Sequence, residues 1–276
     1  MTYVFVPWRS REEVWTAVFP KRTLCVLPVA GRFFIEHQLD WAASCGATRV
    51  IVLDYGYSDV LANMLTGGER HRWPFELIYD RFAPLADELV VRRWCEASYG
   101  GESPDRIIAG PMFPYKGELR EIVTVSDYAD INFKVLSEPG DRTLAGYSSE
   151  VGVQLGMNVV IKTGREIVRP ISLGDNVLVD FGCRLLGRVI VDHNSMLDRE
   201  SVLEDSIVLS YTYVGRKMEL RRKIVDGGRV VDIDTGEWVD IEESGLCGRI
   251  LNTKRRGLFK RMLRWIVGGI ADKEME

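Results

Sequence analysis

From Leu155 to Leu209 an aliphatic residue returns every six positions: Leu155, Ile161, Ile167, Leu173, Val179, Leu185, Val191, Leu197, Leu203 and Leu209. Four residues after most of these stands a small or β-branched side chain: Val159, Ile171, Val177, Cys183, Val189, Ser195, Ser201 and Ile207, with Arg165 and Tyr213 as exceptions. Gly174, Asp180, Asp192, Asp198 and Glu204 directly follow the slot and suit a chain that turns outward. A period of six fits neither a 3.6-residue helix nor a strand that alternates and enters a hairpin. It fits a parallel β-helix, in which each hexad is one short face, three faces close a coil, and the slot residues stack as the core. Ten such hexads predict about three coils.

Upstream of the repeat, apolar runs alternate with helical patterns. Residues 1–22 carry no readable pattern. Thr23 to Val29, TLCVLPV, reads as a buried parallel strand. A helix from about Phe33 to Cys45 follows, with Phe34, Ile35, Leu39 and Ala42 or Ala43 on one face and Gly46 as its stop. RVIVLD (Arg49 to Asp54) is a second strand, and Asp59 to Leu65 a short helix stopped by Gly67 and Gly68. FELIYD (Phe75 to Asp80) is a third strand, followed by a helix near Leu85 to Tyr99 and a fourth strand, RIIAG (Arg106 to Gly110). The alternation predicts a doubly wound, mostly parallel α/β sheet.

A chain of 276 residues has room for one large domain or two ordinary ones. No apolar run reaches the length of a bilayer span, and the N-terminus lacks the charged-then-apolar layout of a signal peptide. Cys25, Cys45, Cys95, Cys183 and Cys247 are widely spaced and odd in number, which predicts reduced cytoplasmic thiols instead of disulfides or a zinc site. The net charge of −4 conceals an asymmetry, because six basic residues and no acid lie between Lys254 and Arg264. The remainder is strongly acidic and should repel nucleic acid, while the tail attracts anions.

The stretch LPVAGRFFIEHQLDWAASCGATRVIVLDYGY, Leu27 to Tyr57, resembles the nucleotide-sugar pyrophosphorylases, where L-P-V-A-G-x-P-L-I-E-x-Q-L follows the catalytic loop. IVLSYTYVGRKMELRRKIVDGG, Ile207 to Gly228, is similar to the end of the hexapeptide-repeat domain that members making GDP-mannose carry. The likeness runs over most of residues 23–232. It implies an α/β fold in which a Rossmann-like nucleotidyltransferase domain takes residues 1–145 and a short left-handed β-helix with a β extension takes 150–242. Beyond the likeness, the tail's own pattern predicts a C-terminal amphipathic helix over 253–272. Left-handed coils are an exception to the usual crossover rule.

The resemblance also shows what is missing. The family's activity depends on a G-G-x-G-T-R loop near the first strand, whose amides and arginine hold the nucleotide phosphates. Residues 1–22 contain no glycine, so the backbone cannot approach a triphosphate in that way. The family's Lys-Pro falls on Leu24-Cys25. Its magnesium-holding Gly-Asp falls on Ala109-Gly110 or Gly110-Pro111, where no carboxylate stands. About forty residues separate Gly110 from the first hexad, too few for the family's sugar-binding subdomain. Phosphoryl transfer needs cations and metal to offset developing charge, and losing a single stabilising donor already costs about 3 kcal/mol. The resemblance therefore implies a catalytically degenerate relative without metal or other cofactor. It would serve as a regulatory or scaffold component of nucleotide-sugar and polysaccharide metabolism, with a sugar nucleotide as ligand. The alternative is an active sugar-1-phosphate nucleotidyltransferase, of the mannose-1-phosphate guanylyltransferase kind. In it Lys21, Arg22 and Arg32 rebuild a phosphate site and magnesium is the cofactor. Asp54, at the C-terminal end of a strand where open α/β sheets bind ligands, is a candidate contact for a sugar or ribose.

The histidines offer a third reading. Many hexapeptide proteins are acyltransferases with a histidine base, and His193 lies in the repeat. It follows Asp192 at a turn, however, where a solvent-facing structural role is expected. His37 and His71 have no partner nearby in sequence and are expected at the surface. After the coils, Lys223 to Glu242 reads as a β extension with turns at Gly227-Gly228 and Thr235-Gly236. In the tail, Leu258, Phe259, Met262, Leu263, Ile266 and Ile270 share one helical face, opposite Lys260, Arg261 and Arg264, with Trp265 on the boundary. With Lys254, Arg255 and Arg256 this is the layout of an in-plane membrane helix, Phe259 and Trp265 among its anchors. A partner or the protein's own core is the other surface such a helix can meet. The flat sides and open end of the coil stack point to a homo-oligomer, located in the cytoplasm or at the inner face of the membrane.

Overall fold

The computed structural model describes residues 1–6, 15, 17–20, 24–54, 59–66, 73–80, 88–101, 103–138, 147–150, 152–162, 164 and 166–250. The fold is mixed α/β and divides into two compact units. One comprises Met1–Leu27 and Phe33–Val123, the other Pro28–Arg32 and the chain from Thr124 onward.

Strand β1 (Thr2–Val6) opens the first unit. After the short pair β2 (Pro28–Val29) and β3 (Arg32–Phe33) come α1 (Phe34–Ser44), β4 (Arg49–Leu53), α2 (Asp59–Thr66), β5 (Glu76–Asp80), α3 (Glu88–Ser98) and β6 (Arg106–Ala109). Four strands form a parallel sheet in the order β5-β4-β1-β6. The alternation in TYVFV explains why β1 is central. Tyr3 and Phe5 enter a core with Ile35, Leu39, Val50 and Val52. Val4 and Val6 enter the opposite one with Ile51, Leu53, Val91 and Cys95. A strand apolar on both faces belongs inside a parallel sheet.

TLCVLPV is not a strand of this sheet, contrary to the sequence expectation. Leu24–Val26 is a 3-10 turn, and Pro28–Val29 pairs with Arg32–Phe33 in a separate two-stranded sheet. Pro28 has no N–H to give a central ladder, and the N-terminal run takes the central place. The other strands and helices lie where the sequence places them. The hairpin β7 (Met112–Tyr115) with β8 (Glu118–Glu121) is a further element of this unit, and helix α4 (Val125–Ser137) belongs to the second.

In the second unit each hexad is a short strand, and three stacked parallel sheets result. The first face runs Val153–Leu155, Ile171–Leu173, Val189–Val191, Ile207–Val208 and Lys223–Asp226. The second runs Val160–Ile161, Leu178–Val179, Met196–Leu197 and Thr212–Val214, the third Glu166–Ile167, Arg184–Leu186, Val202–Glu204 and Glu219–Arg221. Leu155 stacks on Leu173, and Leu173 on Val191. This β-helix-like stack has four coils where three are expected, because it continues past the readable register.

The register breaks at the tenth slot. Val191 stacks on Val208, so Val208 enters the core cluster in place of Leu209, and Val214, Leu220 and Val225 follow it. The corner after Leu203 is one residue shorter than the corner after Leu185, with Asp205 in a left-handed conformation, φ 43°. Beyond the coils, Lys223–Asp226, Arg229–Asp232 and Trp238–Asp240 form the expected antiparallel extension. No helix among the described residues is long and apolar enough to cross a membrane. The helix expected over 253–272 lies outside the described residues.

Candidate functional site

The C-terminal ends of β1, β4, β5 and β6 share one edge of the parallel sheet, the place where such sheets bind ligands. Two carboxylates stand there, Asp54 just past β4 and Asp80 at the end of β5, at 5% and 8% exposure. The Asp54 amide donates to the Asp80 carbonyl at 2.8 Å, which ties the two strand ends together. The Tyr79 hydroxyl donates to Asp54 Oδ2. Asp80 Oδ2 accepts from Trp94 Nε1 at 2.9 Å and from the Tyr99 hydroxyl. Burial, and then the bond to Asp80, hold the Tyr99 phenol well above its ordinary range. Burial, reinforced by the charge of Asp80, pushes the Cys95 thiol up to about 11. Asp80 is thus an internal anchor for α3. Asp54, the candidate ligand contact, is already engaged by the neighbouring strand.

Where the resemblance puts a magnesium-binding Gly-Asp, the structure has Gly110, its amide donating to the Val6 carbonyl at 3.1 Å, and then Pro111. Neither side chain can ligate a hard cation. Among the described residues, no three His, Cys, Asp or Glu side chains gather as a metal cluster.

The most tightly determined constellation lies in the second unit. Pro28–Arg32 reverses the chain through Ala30 and Gly31, at φ 48° and 83°. Three side chains clasp this turn. The Tyr128 hydroxyl donates to the Pro28 carbonyl. Asn132 Oδ1 accepts from the Ala30 amide at 2.9 Å while its Nδ2 donates to the Tyr128 carbonyl at 2.9 Å. His193 Nδ1 accepts from the Asp175 amide at 2.9 Å, which makes Nε2 the protonated nitrogen, 3.3 Å from the Gly31 carbonyl oxygen. Arg188 lies over the Phe133 ring at 4.6 Å and ties α4 to the coils.

These positions sort the sequence candidates. His193 is held between coil and turn: Nδ1 meets the Asp175 amide and Nε2 the Gly31 carbonyl, with the Asp175 and Asp192 carboxylates each 3.5 Å from the ring. His37 is not at the surface. It is 3% exposed and packs on Phe113 of the hairpin at 5.0 Å between ring centres, a partner the sequence reading did not contain. Arg32 closes the clasped turn at 8% exposure. Arg32 and Asp54 belong to different units. Lys21, Arg22 and His71 lie outside the described residues, as do Lys254, Arg255, Arg256, Phe259, Lys260, Arg261, Arg264 and Trp265. Tyr128 and Asn132 went unread. Their i,i+4 spacing behind Thr124 was the available signal, since Thr124 and Asp127 form a capping box, with bonds of 3.1 and 2.8 Å.

No protein-family model matches the chain. It is 27% identical over 128 residues to a UTP–glucose-1-phosphate uridylyltransferase from Synechocystis sp., over 46% of its own length. The match spans 33% of that relative, about a third of its length. A solved perosamine N-acetyltransferase from Caulobacter crescentus, bound to CoA and GDP-perosamine, aligns at 13% identity over 82% of this chain and 94% of that one. Its TM-score of 0.20 is too low to bear on the fold.

Proposed function

We propose that this chain is a regulatory or scaffold protein that binds a nucleotide sugar. In this reading a Rossmann-like nucleotidyltransferase fold and a short left-handed β-helix have been kept and the transfer reaction lost. One observation carries the reading. The L-P-V-A-G turn is held from three side chains, while residues 7–27, between β1 and that turn, contain no glycine. A triphosphate cradle needs closely presented backbone amides, which glycine permits and bulkier residues obstruct. The distant similarity to a uridylyltransferase supports a sugar nucleotide as the ligand class, and Pro111 at the end of β6 supports the loss of the metal-dependent step.

The test uses the full chain. Pyrophosphate release is followed with GTP, CTP, UTP and dTTP against several sugar 1-phosphates in magnesium buffer. Melting is then followed with the corresponding sugar nucleotides. The expected result is no turnover, with a rise in Tm for one nucleotide-sugar class. Turnover with any pair restores the active-enzyme reading. A flat melting series across all ligands ends the binding reading.

A further inference from the structure

The first coil face continues past the last coil as an antiparallel ribbon, and among the described residues its sheet ends at Trp238–Asp240. The register fixes which way the backbone of that edge strand points. The Asp232 amide donates to the Glu237 carbonyl at 2.8 Å, and the Ile241 amide to the Gly228 carbonyl at 2.7 Å. Glu237, Val239 and Ile241 are therefore the residues that bond inward, and the amides and carbonyls of Trp238 and Asp240 face out of the sheet. The edge stands open, with Trp238 45% and Val239 57% exposed. Side chains alternate along it. Val239 lies opposite Val230 and continues the aliphatic face of the coils, while Trp238 and Asp240 share the other face with Arg229. There the Arg229 guanidinium lies over the indole at 3.8 Å and pairs with Asp240 at 2.6 Å.

We propose that this edge takes an extended, cationic segment of a partner protein as a further strand, with Lys or Arg at alternate positions and aliphatic residues between them. Charge selects that occupant. From Val230 to Gly248 the chain carries six carboxylates and no Lys, Arg or His. Arg222, Lys223 and Arg229 pair with Asp234, Asp232 and Asp240. Glu237, Glu242 and Glu243 are the other three, and all are exposed. A second copy added edge to edge would set this row against itself, and like charges on neighbouring strands repel. A basic strand reverses the sign. The pleat puts its alternate cations beside Trp238, Asp240 and Glu242, and its aliphatic residues beside Val239. The indole already takes one guanidinium on its face, the contact that an incoming Arg would repeat. The outward backbone groups of the edge add ladder bonds that depend on strand geometry and not on charge.

The test titrates the full chain into a labelled, capped peptide of alternating Arg and Val, followed by fluorescence anisotropy. Saturable binding is expected, with new amide-exchange protection at Trp238 and Asp240. N-methylating every second residue of the peptide keeps its charge and removes its donors along one edge. That should weaken binding by about tenfold, the scale of one or two lost hydrogen bonds, and it leaves the protein untouched. The double substitution E242R/E243R on the exposed edge should weaken binding by about fivefold. Absence of binding overturns the proposal. So does equal binding of the N-methylated peptide, which makes the edge a general attractor of cations, or indifference to E242R/E243R. A dimer by sedimentation velocity that Trp238→Ala dissociates overturns it in favour of a second copy. Protection at Trp238 and Asp240 before any peptide is added, lost in K254E/R255E/R256E, overturns it in favour of the chain's own basic run.

Discussion

His193 and Gly31 stand 162 residues apart in sequence, and the imidazole Nε2 meets the glycine carbonyl at 3.3 Å. The other ring nitrogen takes the Asp175 amide at 2.9 Å, so a single side chain bonds one coil to the next and the coils to the Pro28–Arg32 turn. Removing it leaves an amide and a carbonyl without these partners. His193→Ala should therefore cost about 2 kcal/mol, in the range for lost partners of partly buried backbone groups. Equilibrium urea unfolding measures this, and an unchanged midpoint would refute the clasp.

Gly174 makes room for that ring. A Cβ at this position would lie 2.8 Å from the His193 amide nitrogen and 3.0 Å from Nδ1. At Gly46 a Cβ would meet nothing within 4 Å. Gly174→Ala should lower Tm by more than His193→Ala does, since it displaces backbone as well as the ring. A calorimetric scan of the two variants side by side decides it.

Asn158, Asn176 and Asn194 stack at one corner with φ of 56°, 56° and 57°. Their side-chain amides bond in a column, at 3.1 Å from Asn158 to Asn176 and 3.0 Å from Asn176 to Asn194. Asparagine tolerates the left-handed conformation that alanine resists by roughly 1–2 kcal/mol. Asn176→Ala should destabilise by about 2 kcal/mol, whereas Asn176→Gly, which loses the column but not the conformation, should cost clearly less. Equal losses in urea melts would remove the conformational part of this account.

Lys162 Nζ lies 2.8 Å from Asp180 Oδ1, with side chains 9% and 5% exposed. Breaking a buried pair from one side strands the other charge. Asp180→Ala should cost about 3–5 kcal/mol, and the double replacement K162M/D180L should recover most of it. Chemical denaturation of the two variants gives the comparison, and a double variant no better than the single would contradict it.

Asp232 gives the chain an acid-side dependence. The Lys223 ammonium bonds its carboxylate, and the Thr235 and Asp234 amides donate to Oδ1 at 2.9 Å each, drawing its pKa from 3.8 to about 2. A carboxyl held low in the folded state stabilises above its unfolded pKa and loses that contribution as pH falls through the folded value. The stability gap between wild type and Asp232→Asn should thus be constant above about pH 5 and shrink between pH 4 and 2. A gap that stays flat down to pH 2 would exclude the effect.

The coils are legible in the sequence because stacking repeats one residue type at one interval, and Leu155 through Leu203 keep that interval without interruption. Leu209 is misread because the shortened corner at Asp205 is set by backbone conformation, which hydrophobic spacing does not register. The run TLCVLPV imitates a strand and TYVFV hides at the chain start. Only Pro28, lacking an amide hydrogen, distinguishes them. Asp54 sits at the expected strand end, yet its partner Tyr79 lies on the adjacent strand, and strand order is not written in local pattern. Tyr128 and Asn132 are visible as a helical pair, but the turn they grip lies about a hundred residues upstream.

The shortened corner at Asp205 shows what sets the length of a coil. Neighbouring slots stay aligned through the stacking partner below, and the spare backbone is taken up where the path bends. Natural variation in repeat length should gather at those bends, and a foreign peptide spliced there would leave the column beneath it undisturbed.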